Sequence, residues 1–254
     1  MLLRLPTSLS EAQQCLAEGA VPIGGATLVW ATWQRDGFPE LAMSLRDLPE
    51  ANVLGRETVG GAVVLHRIDD RVPDVLRLAA AAVGTGAVRR TATVGGNLVG
   101  STLRCLLPAA LVLDARATVL EASGVRETDL AELVAKRPVL LSLRWREPIA
   151  CAYRKLAGEA GGQPPLTVAS ALHADGGGDR LRVAVRDGHE VLSGGVTCGS
   201  AAEETLRALR STAVGDLPAA AWDVVRSQVT ALTSGGSPAA RTGSGPVKPA
   251  PRRA

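Results

Sequence analysis

Two short glycine-paired stretches constrain this chain more than anything else in it. The first reads Pro22-Ile23-Gly24-Gly25-Ala26-Thr27-Leu28 and the second Thr93-Val94-Gly95-Gly96-Asn97-Leu98-Val99-Gly100. Glycine admits positive φ and lets another group approach the main chain closely. A turn that converges several backbone N–H groups holds an anion. Taken singly, each stretch reads as a tight turn as readily as a phosphate cradle. The first follows an apolar run and leads into another. The second adds the Thr93 hydroxyl and the Asn97 amide, both able to bond phosphate or ribose. The commoner nucleotide signatures are missing. No Gly-x-x-x-x-Gly-Lys-Ser/Thr occurs, and Gly84-Thr85-Gly86 follows a helical pattern with Arg89 where a third glycine belongs.

The surrounding pattern mixes strands and helices without strict alternation, which predicts an α+β fold. Residues 2–6 read as a strand. A helix capped by Ser8 or Ser10 runs to about Glu18 and ends at Gly19. Residues 21–23 read as a buried strand, 34–40 as a polar turn and 41–45 as a strand. A strand with a glycine bend covers 57–65, and a helix capped by Asp69 or Asp70 covers 72–83. Further on come a helix at 106–113, a strand at 117–121, a helix at 129–135 and a strand at 139–145. Beyond a boundary near 146–150, strands fall at 152–156, 166–173 and 181–186, with helices at 201–210 and 219–232. Residues 234–254 are rich in Gly, Pro, Ser and Arg and predict a disordered tail. One internal echo stands out: residues 58–64, Thr-Val-Gly-Gly-Ala-Val-Val, match 93–99, Thr-Val-Gly-Gly-Asn-Leu-Val. Nothing around them extends the match, so it reads as recurrent strand–turn chemistry.

Composition narrows the function classes. The net charge of +3 is a property of the tail, which holds Arg241, Lys248, Arg252 and Arg253 and no acid; without those four, 24 basic residues face 25 acidic ones. A neutral body with six scattered aromatics does not suggest nucleic-acid binding. The uncharged run 19–34 is too short and too broken by Pro22 and glycines to span a membrane. With no export signal at the N-terminus, a cytoplasmic location is expected. Cys15, Cys105, Cys151 and Cys198 are too far apart in sequence for an iron–sulfur or zinc site. His66, His173 and His189 lack the neighbours of a triad, and no Gly-x-Ser-x-Gly elbow occurs. No catalytic side chain and no metal site is expected.

The order and surroundings of the glycine stretches carry a resemblance. Residues 88–98, Val-Arg-Arg-Thr-Ala-Thr-Val-Gly-Gly-Asn-Leu, and 107–115, Leu-Pro-Ala-Ala-Leu-Val-Leu-Asp-Ala, look like the second FAD loop of the flavoprotein subunits of the xanthine dehydrogenase and carbon monoxide dehydrogenase family. Residues 23–28 are similar to that family's Ala-Gly-Gly-Thr-Asp-Leu, and Ala152-Tyr153-Arg154-Lys155-Leu156 resembles the motif that opens its C-terminal domain. The resemblance implies an FAD-binding domain over residues 1–147, in two subdomains split near 55. A small α/β domain with a three-stranded antiparallel sheet follows over 148–233. It implies FAD as cofactor, held by Ile23, Gly24, Gly25, Ala26, Thr27 and Leu28 in the first loop. Thr93, Gly95, Gly96, Asn97 and Val99 hold it in the second loop, with Lys155 near the flavin ring. It also implies iron–sulfur and molybdopterin partner subunits in a bacterial hetero-oligomer, this chain passing electrons to a final acceptor.

This sequence departs from the family pattern in places. Thr27 stands where an acid is usual, and residues 103–107 contain Arg104 and no carboxylate. Gln163-Pro164-Pro165 stands where an acid often follows the lysine motif. Two charge-assisted bonds are thereby missing, each worth about 1.5–3 kcal/mol. Arg104 reads either as a diphosphate partner or as a solvated surface arginine. Trp30 and Trp33 read either as core or as packing for the cofactor. An assembly subunit that keeps the fold without tight FAD binding is the alternative function; a flavoenzyme acting alone is a third.

Overall fold

A computed structural model describes residues 1–158 and 162–234; the expected tail, Ser234 apart, lies outside the described residues. The chain opens as β1 (Leu2–Arg4), α1 (Leu9–Ala17), β2 (Val21–Ile23), α2 (Val29–Asp36) and β3 (Leu41–Ser44). The three strands form a parallel sheet in the order β1-β3-β2. Ser8 is the residue that caps α1: its hydroxyl accepts from the Glu11 amide, and Gly19 follows at φ 81°. Residues 21–23 form the expected strand but it is not buried. β2 is an edge strand, the place where Pro22, which has no N–H, costs no ladder bond. The expected turn at 34–40 is also corrected, since α2 runs through Asp36 before Gly37 ends it.

The second unit is a five-stranded antiparallel sheet, order β4-β5-β8-β6-β7. It is built from β4 (Leu54–Gly55), β5 (Thr58–Gly60), β6 (Arg116–Glu121), β7 (Gly124–Thr128) and β8 (Val139–Arg144). Its helices are α3 (Asp74–Ala81), α4 (Gly86–Thr91), α5 (Leu107–Val112) and α6 (Leu130–Lys136). α3 starts later than its apolar pattern suggested. Pro73 takes the cap position, while Asp69 is spent on Arg71. Its Val75, Leu76, Ala79 and Ala80 are fully buried, and a buried valine or leucine is worth about 1.5–3 kcal/mol. The strand expected over 57–65 shortens to β5, because Gly61 turns the chain into the loop that leads to α3.

The third unit is the small antiparallel sheet, with one strand more than expected. The order β12-β11-β10-β9 comprises β9 (Ala150–Lys155), β10 (Thr167–His173), β11 (Arg180–Asp187) and β12 (Glu190–Thr197). Helices α7 (Ala202–Leu209) and α8 (Ala219–Thr233) cover one face. Alternation along the strands gives the sheet two different cores. Val168, Leu172, Leu181, Val183 and Val185 pack with α7 and α8. Ala169, Ala171 and Ala184 join the core of the five-stranded unit, with Cys151 and Tyr153 packed against it. These alanines leave room for α5, which lies across β10 and β11. The contact is pinned by His173 Nε2 at 2.7 Å from the Val112 carbonyl and by an Arg182–Asp114 ion pair at 2.6 Å.

Candidate functional site

The two glycine stretches, 69 residues apart at Gly24 and Thr93, lie against each other. A Cβ on Gly25 would fall inside the Thr91 carbonyl, and one on Gly24 would collide with the Thr93 hydroxyl. Both obstacles belong to the other stretch or to the two residues leading into it, and at Gly25 the obstacle is main chain, which cannot swing aside. The glycines are therefore required by the seam between the loops.

The second loop is held from behind by the segment that echoes it. Val94 N donates to Val63 O at 3.0 Å, Gly95 N to Gly61 O at 2.8 Å and Leu65 N to Ala92 O at 2.9 Å, while Val64 and Thr93 form an antiparallel bridge. The repeated tetrad Thr-Val-Gly-Gly thus marks two segments that pair with one another. Gly61 and Thr91, neither among the expected site residues, supply backbone that buttresses or abuts the loops. The echo was the sequence signal for the first of them.

Within the second loop the polar side chains are used internally. Thr93 Oγ1 accepts from Gly96 N at 3.1 Å, and the buried Asn97 amide oxygen accepts from Leu106 N at 2.9 Å. Gly96–Gly100 forms a single π-helical turn in which Leu98 is buried and Val99 packs against the core. Such turns are frequent at functional sites. The Asn97 bond fixes the segment that carries Arg104. Arg104 itself has φ 41°, and its buried Nε has no partner among the described residues.

The first loop is the reverse case. Ile23 ends β2 opposite Ser44, Ala26 is left-handed at φ 56°, and α2 begins at Val29. Among the described residues, no acceptor is bonded to the amides of Gly25, Ala26, Thr27 or Leu28. A left-handed residue just ahead of a helix start, flanked by unpaired N–H groups, is the kind of geometry from which backbone nests for anions are built. Thr27 and Leu28 are exposed, and α2 buries none of its residues. Trp30, half exposed, and Trp33 meet the ring of Phe38 at 5.4 and 6.1 Å, so neither tryptophan is core.

Lys155 is placed elsewhere. Its Nζ donates to the Ala82 carbonyl at 2.8 Å, at the C-terminal end of α3, where a cation suits the helix dipole. Burial pushes the neighbouring Tyr153 phenol up to about 12 and raises the Cys151 thiol, so both stay neutral near pH 7. A cavity of about 550 Å³, bordered by Gln163, His189, Asp216 and Pro218, contains none of the expected site residues. Among the described residues no group of three or more His, Cys, Asp or Glu side chains is gathered to hold a metal. No helix among them is long and apolar enough to cross a membrane.

Comparison with known proteins agrees with the fold. No curated protein matches the chain in sequence. Among solved structures it is similar to a chain of quinoline 2-oxidoreductase from Pseudomonas putida 86, with 21% identity and a TM-score of 0.63 over 91% of this chain and 93% of that one. It is also similar to a chain of carbon monoxide dehydrogenase from Hydrogenophaga pseudoflava, with 19% identity and a TM-score of 0.70 over 91% and 96%. A chain of the reconstituted CO dehydrogenase from Oligotropha carboxidovorans gives 21% and 0.65 over 84% and 81%. At such identities the likeness is one of fold. The family model described as the FAD binding domain in molybdopterin dehydrogenase matches residues 3–143, which span both glycine loops, α5 and nearly all of the five-stranded sheet. This chain belongs to that family, the FAD-binding flavoprotein subunits of molybdenum-hydroxylase-type oxidoreductases.

Proposed function

We propose that this chain itself binds FAD, with the diphosphate over the free amides of the first glycine loop, at the rim of the seam where the two loops meet. One observation carries the reading: the first loop, whose Gly25–Leu28 amides bond no acceptor among the described residues, meets the second loop and its lead-in at Gly24 and Gly25, beside Thr91–Thr93. In this reading the first loop supplies the N–H groups, and Gly95, Gly96, Asn97 and Val99 shape the wall opposite. Ile23 fixes where the loop leaves the sheet. Arg104, with an unspent Nε–H, offers charge to the diphosphate. Lys155 is not part of this cradle, its Nζ being taken by the Ala82 carbonyl. FAD, when bound, supplies the redox chemistry, and the protein binds it, orients it and sets its electronics. Residues 1–147 form the FAD-binding domain, split near 55, and residues 148–233 the smaller domain that closes on it. Iron–sulfur and molybdopterin subunits of a hetero-oligomer would deliver the electrons.

The test is calorimetric titration of the purified chain with FAD and, separately, with FMN, which lacks the diphosphate-linked adenosine. Saturable binding of FAD with FMN far weaker supports the seam; equal affinities exclude it. A second reading has its own observation. Thr27 and the carboxylate-free stretch 103–107 leave two nucleotide hydroxyl acceptors missing, and the Asn97 oxygen is already spent on Leu106. An assembly subunit without tight FAD binding would join its partners while taking up neither flavin.

A further inference from the structure

The cavity of about 550 Å³ in the third unit stands outside every role assigned so far. Its rim is acidic. Asp187 and Glu190 are register partners at the closing end of the β11–β12 hairpin, and Asp216 comes from the loop ahead of α8. Its apolar lining includes Leu192, Leu217 and Pro218, the last being the cap residue of α8. Among the described residues no lysine or arginine borders it, and none of the three carboxylates has an ion pair or a side-chain hydrogen bond. Arg186, next to Asp187 on β11, spends its guanidinium on the Pro165 and Gly188 carbonyls and the Thr167 hydroxyl. Other acids of the chain are matched: Asp69, Asp74 and Glu132 each hold an arginine or lysine nitrogen at 2.7–2.8 Å.

The N-terminal end of α8 lies at the same cavity, but its dipole amounts to about half a positive charge against three negative side chains. The rim therefore stays negative. These acids do not gather as a metal site would require. A cation with an apolar body suits the cavity better, and lysine and arginine side chains have both parts.

The chain carries such a segment. Lys248-Pro249-Ala250-Pro251-Arg252-Arg253 holds three cations and no acid. It lies beyond the described residues, which end at Ser234, just past α8. The 15 residues of α8 lead the chain about 22 Å away from the cavity. Residues 235–247 have that distance to cover in return. A linker of their length and glycine- and serine-rich composition has a root-mean-square span of about 20 Å. A tethered group is most concentrated at its target when the average span matches the gap, and then reaches about millimolar. Arg241 is too near the anchor to share the contact, since the seven residues that reach it span about 23 Å only when fully stretched. Pro249 and Pro251 have fixed φ, which lowers the entropy lost on docking.

We propose that this cavity is the docking site of the chain's own basic segment, residues 248–253. Lys248, Arg252 and Arg253 meet the rim of Asp187, Glu190 and Asp216, and the prolines lie over Leu192, Leu217 and Pro218.

The experiment is limited trypsin digestion of the full chain, wild type against the triple variant Asp187→Asn, Glu190→Gln, Asp216→Asn. Cleavage after Arg241 and after Arg252 is followed by mass spectrometry. The three acids are exposed, so their neutral replacements leave the fold in place. Cleavage follows the population of the undocked segment. At low salt Arg252 should be cut about threefold faster in the variant, and Arg241 at the same rate in both. At about 0.5 M NaCl, where charges are screened beyond about 4 Å, the wild-type rate at Arg252 should rise to that of the variant. Carbodiimide coupling of the wild type at low salt should join Lys248 to one of the three acids within a single chain. Equal Arg252 rates in the two proteins at low salt overturn the proposal. Lys248 links that scatter over other carboxylates, or that join two chains, overturn it as well.

Discussion

Gly25→Ala tests the seam between the loops with one methyl group. The added Cβ lands inside the Thr91 carbonyl, so the first loop must back away from the second as a body. Overpacking into a tight contact costs about 1–3 kcal/mol, and backbone against backbone belongs at the upper end. For a chain of this size each kcal/mol moves Tm by about 2–4 °C, so a fall of roughly 6–12 °C is expected. The same displacement withdraws the free amides of Gly25–Leu28 from the second loop, so FAD affinity should fall by at least tenfold, or about 1.4 kcal/mol. Gly176→Ala is the control, because a Cβ there meets nothing within 4 Å. It should leave Tm within a degree or two and FAD binding unchanged. Scanning calorimetry and FAD titration on the three proteins decide the matter. If Gly25→Ala matches Gly176→Ala in both, the loops do not touch as described.

Three further outcomes follow from other residues. Thr27→Asp restores an acceptor at an exposed position of the first loop, and by titration should tighten FAD binding by about 10–150-fold, the range of a charge-assisted bond. Asn97→Ala strands the buried Leu106 amide, so chemical denaturation should show a loss of about 1–3 kcal/mol, while Asn97→Asp, which keeps the acceptor, should lose less. Glu132 is held down to about 2 by bonds from Lys136, Thr128 and Arg126. A depressed carboxylate stabilises the fold above its ordinary value of 4.5 and loses that contribution as pH falls toward 2. Thermal melts of Glu132→Gln should therefore show a deficit at pH 6 that shrinks by pH 3.

Local chemistry made the elements near the site readable. The Ser8 cap and the Gly19 stop of α1 rest on contacts within a few residues, and α6 and α8 form where helices were expected, over 129–135 and 219–232. What stayed hidden depends on distant partners. β7 is a polar edge strand whose pairing with β6 gives it its identity, and its Gly-Val-Arg-Glu-Thr sequence has little strand preference. β12 contains Gly194-Gly195, which reads as a turn. A Cβ on Gly194 would strike the Thr212 hydroxyl, so that glycine answers to packing after the strand has formed. α2 was hidden because it buries nothing, and the type of its tryptophans suits core and cofactor packing alike.

The site divides the same way. Both glycine loops were legible, since paired glycines signal close approach. That the approaching group is the other loop is a tertiary fact. The internal use of Thr93 and Asn97 was equally out of reach, because the same hydroxyl and amide suit a ribose or a backbone amide.

The most direct measurement is the visible absorbance spectrum of the full chain after incubation with excess FAD and removal of the unbound cofactor. An FAD cradle between the loops predicts retained flavin bands at about one FAD per chain, diminished in Gly25→Ala and undiminished in Gly176→Ala. A protein that emerges colourless at saturating FAD contradicts the account.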